Sequence, residues 1–268
     1  MKLSYLRFAA LTMLAALAAA LSVATPARAA QAQTPCTAPA DSARFVWPLK
    51  HTGRKLLAGR PLSIVAIGSS STAGDGASSP AASYPSRLLV DLRMRFPFRP
   101  ITMKNRGVGG TEIKDMLAKF DAEAAEDRPD LVLWQFGTNS LLRNRTITEA
   151  MLVIEQGMRK FKALNADLIV VNPQYAPKVL AKAQTEFMLG IIAEAANQSH
   201  VNVFDRFAVM RYWHVTQRIP FSTFLSPDEL HMNDWSYACI AKLLGAAIAE
   251  AATRPAHTAT SVSARNVP

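Results

Sequence analysis

The sequence predicts an α/β protein, a three-layer α/β/α domain built on a five-stranded parallel sheet. Three observations carry this expectation. Apolar runs of strand length recur along the chain, and Gly68, Gly137 and Asn172-Pro173 stop three of them abruptly. Stretches whose apolar residues follow helical spacing separate these runs. The connections are short, so strand and helix alternate and the strands must lie parallel, with helices on both faces.

Leu62 to Ile67 is the first strand, apolar and rich in β-branched residues, and it opens into Gly68-Ser69-Ser70-Ser71-Thr72-Ala73-Gly74. Before it, Phe45 to Gly59 carries Trp47, Pro48 and Leu56-Leu57 and is expected to pack on the domain edge. Tyr84 to Phe96 places Leu88, Leu89 and Leu92 on one helical face and ends at Pro97. Ile101 to Asn105 is a short strand. Thr111 to Glu126 is a helix with a stripe of Ile113, Met116, Leu117, Phe120 and Ala124. Leu131 to Phe136 (LVLWQF) is a buried strand, followed by a helix over Ile147 to Leu164 with Met151, Ile154, Met158 and Phe161 inward. Leu168 to Val171 and Val201 to Phe204 complete the sheet, with a helix over Val179 to Asn197 between them. An irregular aromatic stretch, Arg211 to Leu225, leads to a last helix over Asn233 to Ala252 that buries Trp235, Ile240, Leu243, Leu244, Ala247 and Ile248. No internal repeat or linker interrupts residues 61–252, which read as one domain.

The two ends of the chain read differently. Lys2 and Arg7 flank a polar start, Phe8 to Val23 is apolar, and Ala27-Arg28-Ala29 is an A-x-A cleavage pattern; residues 1–29 therefore read as a secretory signal peptide. The apolar run is a little short for a membrane span, so no transmembrane segment is expected after cleavage. Removing Lys2, Arg7 and Arg28 lowers the net charge from +10 to +7. Residues 30–60 form an arm and edge segment, and the small, polar tail 253–268 is expected to be disordered. Cys36 and Cys239, the chain's 2 cysteines, have no zinc or thioredoxin spacing. In an oxidising compartment they either pair, tying the arm to the last helix, or leave Cys239 as a buried thiol.

Four stretches at strand ends carry the residue types that acyl chemistry needs. They are the serine cluster above, Asn105-Arg106-Gly107-Val108-Gly109-Gly110-Thr111, Gly137-Thr138-Asn139-Ser140, and Asp228-Glu229-Leu230-His231. A serine becomes a nucleophile when a histidine takes its proton and a carboxylate fixes the imidazole. Backbone amides freed by glycines, and an asparagine amide, suit the oxyanion. In this order the stretches resemble the blocks of the SGNH (GDSL-type) hydrolases: Gly-Asp-Ser-x, a glycine block, Gly-x-Asn-Asp and Asp-x-x-His. The resemblance runs from Leu62 to the last helix and implies a flavodoxin-like fold. It also implies Ser70 as nucleophile, His231 as base, Asp228 as its orienting partner, and Ser70, Gly110 and Asn139 as oxyanion donors. Ser69 and Ser140 depart from the pattern, each standing where the family has aspartate.

Together with the signal peptide, which predicts export, the resemblance implies an exported, cofactor- and metal-independent serine esterase, with carbohydrate O-acetyl esters as the leading substrate. Lysophospholipid or other lipid esters, acyl transfer to a sugar hydroxyl, and a catalytically silent envelope glycan-binding protein are the alternatives. Nothing in the basic residues suggests nucleic acid. Arg106, Arg143 and Arg145 lie near the expected mouth, either solvated or converging on an acidic polysaccharide or anionic lipid headgroup. His51, His200 and His257 read as surface residues and His214 as packing.

Overall fold

In the computed structural model of the chain, residues 35–39, 42 and 44–254 are described, the side chains of 124 and 125 excepted. The expected signal peptide and the tail from residue 255, with His257, lie outside the described residues, as does the side chain of Ala124. The helices are α1 (Lys50–Leu57), α2 (Ser70–Ala73), α3 (Tyr84–Arg95), α4 (Ile113–Asp127), α5 (Thr138–Leu142), α6 (Ile147–Lys162), α7 (Pro177–Leu180), α8 (Thr185–Gln198), α9 (Arg206–Arg211), α10 (Phe221–Phe224) and α11 (Asp234–Thr253). The strands are β1 (Leu62–Gly68), β2 (Ile101–Gly107), β3 (Leu131–Gln135), β4 (Asp167–Val171) and β5 (Asn202–Phe204). All pair in parallel in the order β2-β1-β3-β4-β5. This is the flavodoxin-like order, in which ligands bind beyond the carboxyl ends of the strands where the winding reverses.

The layers follow from the apolar pattern. β1 and β3 are buried almost throughout because helices cover both faces. α1 and α3 pack along α11 on one side, and α6 lies between α4 and α8 on the other. Leu88 and Leu92 of α3, Ile154 of α6 and Leu244 and Ile248 of α11 are fully buried, each contributing roughly 1.5–3 kcal/mol of hydrophobic stabilisation. At the centre Trp134 is 0% exposed and packs on Phe136 and Phe161. Among the described residues no helix is long and apolar enough to cross a membrane.

Several expectations need correction. β2 runs on to Gly107 because its last residues pair with Ile67 and Gly68. Met151 is exposed, whereas Ala150, Ile154, Met158 and Phe161 are buried; the buried stripe of α6 starts at Ala150, one position before the residue its sequence suggests. The helix expected over Val179 to Asn197 is broken into α7 and α8, and the Thr185 hydroxyl donates to the Val179 carbonyl (2.7 Å) across the break. The stretch expected to be irregular is largely helical. Asp205 caps α9 by accepting from the Ala208 amide (2.9 Å), and α9 continues into a π-helical turn, Tyr212–Thr216. Within the edge segment, α1 buries Leu56 but leaves Leu57 exposed.

Cys36 and Cys239 form a disulfide. Trp213 Nε1 and Gln217 Nε2 donate to the Thr37 carbonyl and hydroxyl, both at 2.7 Å. The segment before α1 is thereby strapped to α11 and to the turn after α9.

Candidate active site

The site grows from the end of β1. Gly68 carries no Cβ because one would stand 2.1 Å from Thr72 Oγ1 and 2.8 Å from Gln135 Oε1. That crowding reflects how tightly α2 folds back on the strand. Gln135, the last residue of β3, is fully buried, and its Oε1 accepts from the Ser69 amide (3.0 Å), the Ser69 hydroxyl (3.1 Å) and Thr72 Oγ1 (3.1 Å). With the Thr72 proton so engaged, the Tyr84 hydroxyl donates to Thr72 (3.0 Å). Burial pushes the Tyr84 phenol up to about 12, so it remains a donor at neutral pH. From the other side, Asn105 Nδ2 donates to the Thr72 carbonyl (2.7 Å) and Asn105 Oδ1 accepts from the Gly107 amide (2.9 Å). α2 is thus pinned at both ends, with Ser70 as its first residue.

His231 Nε2 stands 2.9 Å from Ser70 Oγ, and His231 Nδ1 stands 2.5 Å from Asp228 Oδ2. An ionised carboxylate only accepts. The ring proton therefore sits on Nδ1, and Nε2 is left to accept from the Ser70 hydroxyl. Asp228 Oδ1 accepts from the amides of Leu230 (3.0 Å) and His231 (2.9 Å), a tight turn with Glu229 at φ 57°. Burial alone would raise the Asp228 carboxyl. The His231 amide and ring and the Leu230 amide outweigh it and hold the group below the usual carboxylate range.

This turn is fixed from three directions. The Ser226 amide donates to the His231 carbonyl (2.8 Å), and Leu225 pairs with Met232 in an antiparallel bridge. Asn233 and Ser236 form a capping box at the start of α11. Beneath, the fully buried Gln174 donates to the Leu230 carbonyl (3.3 Å) and accepts from Thr138 Oγ1 and Arg206 Nη2, both at 2.9 Å. Burial pushes the Arg206 guanidinium down to about 10.

The glycine block and α5 come together through Thr111. Its hydroxyl reaches the Gly68 carbonyl (3.4 Å), and its carbonyl accepts from Asn139 Nδ2 (2.8 Å). Gly110 has φ 76°, a left-handed backbone suited to glycine. Among the described residues the amides of Ser70 and Gly110 have no backbone acceptor, and Asn139 Nδ2 retains a second hydrogen. Groups of this kind suit a developing oxyanion.

The structure therefore brings together Ser70, His231 and Asp228 and joins the strand ends carrying Gly110 and Asn139. It turns the three arginines elsewhere. Arg106 reaches Asp127 (2.9 Å) and Glu126 (2.6 Å) in the last turn of α4, the far end of that helix from the glycine block. Arg143 donates to Glu112 (2.7 Å) and the Gly110 carbonyl (2.8 Å), and Arg145 makes a two-pronged contact with the same Glu112 carboxylate. The pair converges, but on a carboxylate whose side chain is only 7% exposed. His214 stacks on Phe221 with ring centroids 3.9 Å apart, as expected of packing, and His200 is exposed beside Trp47. His51 is not a free surface residue: its side chain is 14% exposed and bonded to Asp130 (3.0 Å).

Gln135, Gln174 and Glu112 escaped the sequence reading. A polar residue closing a buried apolar strand, as Gln135 closes LVLWQ, was the one local signal.

A family model described as "Non-GDSL lipase-like family" matches residues 35–254. No curated protein matches the chain. Among solved structures, a two-domain esterase active on acetylated mannans is 24% identical over 79% of this chain and 56% of its own, with a TM-score of 0.66. The acetylxylan esterase Axe2 from Geobacillus stearothermophilus is 16% identical over 72% of this chain and 94% of its own (TM-score 0.57). The hydrolase LAE5 from the Lake Arreo metagenome is 20% identical over 72% and 96% (TM-score 0.59). The chain spans little more than half the length of the two-domain esterase. These likenesses show a shared fold.

Proposed function

The chain belongs to the non-GDSL lipase-like family, and from that premise we propose that it is an exported serine esterase releasing small acyl groups, acetyl foremost, from carbohydrate. One observation carries the reading: the continuous hydrogen-bonded line from Ser70 Oγ through His231 to Asp228. Ser70 Oγ attacks the ester carbonyl carbon while His231 Nε2 takes its proton. Asp228 holds the Nδ1–H and stabilises the imidazolium that forms. The Ser70 and Gly110 amides and Asn139 Nδ2 receive the oxyanion. His231 then protonates the leaving alcohol, leaving Ser70 acylated. Water attacks the acyl carbonyl as His231 takes its proton. The intermediate collapses with that proton passing to the departing Ser70 Oγ, releasing the acid and restoring the enzyme.

Acetylated carbohydrate is favoured by the mannan and xylan esterases that share the fold. Export is favoured by the leader and by the Cys36–Cys239 bridge, a bond of oxidising compartments. Arg143 is assigned to holding the Gly110 turn, since its guanidinium already contacts that carbonyl; anion recognition is not assigned to it or to Arg145.

A fluorophosphonate probe with peptide mapping tests the chemistry, and acetate release from acetylated mannan and xylan oligosaccharides, against fatty-acid release from a lysophospholipid, tests the substrate. The expected result is an adduct on Ser70 and preferential acetate release. Absence of an adduct, or an adduct on Ser69 or Ser71, overturns the reading.

A further inference from the structure

A cavity of about 820 Å³ lies away from this site. Its lining includes Arg60, just before β1, and Asp130, which immediately precedes β3. It therefore opens at the amino edge of the sheet, separated from Ser70 by the whole of β1, about 20 Å long at ~3.3 Å per residue. Arg54, Lys55, Arg60 and Arg128 line it, and Asp130 is the one carboxylate among its lining residues. That carboxylate is already engaged by three donors. It accepts from the Ser63 amide (2.9 Å), from Lys55 Nζ (3.0 Å) and from His51 Nε2 (3.0 Å). His51 Nδ1 in turn accepts from Arg54 (3.1 Å), which leaves the imidazole as the neutral Nε2–H form.

Arg60 and Arg128 have no carboxylate partner among the described residues. Arg128 also sits at φ 42°, a left-handed backbone that long side chains rarely adopt. Such strain persists where the surroundings or a function hold it. Ala58, Pro129 and Leu164 supply apolar, non-aromatic walls, which offer no ring for a nucleobase to stack on. The volume lies within the range of ligand sites.

We infer that this cavity is an anion-binding site for the carboxylates of an acidic glycan, a chain carrying uronic acids, separate from the ester-cleaving site. Guanidinium forks match carboxylates two-pronged. A polymer held there presents its esters to Ser70 at raised local concentration. The choice of a glycan rests on the esterase reading above; the anion site does not.

The test uses Ser70→Ala protein, which leaves ligand intact, titrated calorimetrically with oligogalacturonate, neutral mannopentaose and inorganic phosphate. Oligogalacturonate should bind, more weakly as salt rises. Adding Arg60→Gln with Arg128→Asn, asparagine being tolerant of the left-handed turn, should weaken binding by about tenfold or more, from losing charge-assisted contacts. Arg60→Gln alone, which leaves that turn untouched, should weaken it in the same direction should the double variant fail to fold. With Ser70 intact, the double variant should hydrolyse an aryl acetate as the native protein does. Unchanged oligogalacturonate affinity in the variants overturns the proposal, as does equal binding of mannopentaose or of phosphate. Failure of the native protein to cleave aryl acetate would sink the esterase reading and leave the binding result standing.

Discussion

Arginines stand at both edges of the sheet, and the two edges treat them oppositely. At the carboxyl edge Arg143 and Arg145 close on Glu112, and Arg106 is drawn down β2 to Asp127. At the amino edge Arg60 and Arg128 face open cavity, beside a carboxylate already filled by Lys55, His51 and Ser63. Strand-to-helix turns at the carboxyl edge present helix N-termini, whose free amides suit a developing oxyanion. The amino edge collects helix C-termini, which cations complement. On the assignments proposed above, charge near the reacting serine is tied into its scaffold, while charge left to meet a ligand lies away from it.

Perturbing each edge in turn sharpens or breaks that contrast. Ser70→Ala should have the largest effect, removing about 10⁶-fold of turnover, without altering oligogalacturonate binding. Asp228→Ala should be about a hundredfold less damaging, because its carboxylate orients rather than reacts and is 43% exposed to water. Asn139→Ala should lower kcat by about 10²–10³-fold with KM nearly constant, as expected for a donor used only in the transition state. A rise in KM with kcat unchanged would remove Asn139 from the oxyanion set.

Glu112→Gln tests the claim that arginines at the reacting edge are structural. Burial alone would raise the Glu112 carboxyl, yet Arg145 and Arg143 hold it below the usual range. A depressed carboxylate stabilises the fold above its unfolded value of about 4.3, and that stabilisation is lost as pH falls through the folded value. The variant should therefore lose about 1–2 kcal/mol at neutral pH, after allowing for solvent screening of the half-exposed arginines. Its stability should fall less steeply than the native protein's on acidification. Chemical denaturation at pH 7 and at pH 3 measures both. The smallest effect belongs to Arg60→Gln with Arg128→Asn, for which aryl acetate turnover should stay at the native level.

Much of the carboxyl edge was legible in the sequence, since its parts are local. The strand Leu62 to Ile67 ends at a glycine, and Asp228 and His231 share one turn. Residues that act by reaching across the fold were not. Glu112 meets Arg145 from 33 positions away and Gln135 meets Ser69 from 66, and neither separation leaves a periodic mark. Arg206 is 0% exposed, donating to the Asn172 carbonyl and Gln174, and its partners lie more than thirty positions away. Met151 shows a local error. Spacing placed it on an apolar stripe, but the helix turns it to solvent because Ala150, one position earlier and one turn before Ile154, takes the inward place.

The bridge between Cys36 and Cys239 also bears on how the molecule is made. Its partners are 203 positions apart, so at synthesis rates of about 5–20 residues per second Cys36 waits roughly 10–40 s for its mate. During that interval the nascent chain holds a lone thiol at its leading end. Having only 2 cysteines, it has no wrong bridge to make within itself. The hazard is instead between chains, and it arises in the oxidising compartment where the bridge itself can form, when Cys36 of one chain meets that of another before Cys239 has docked.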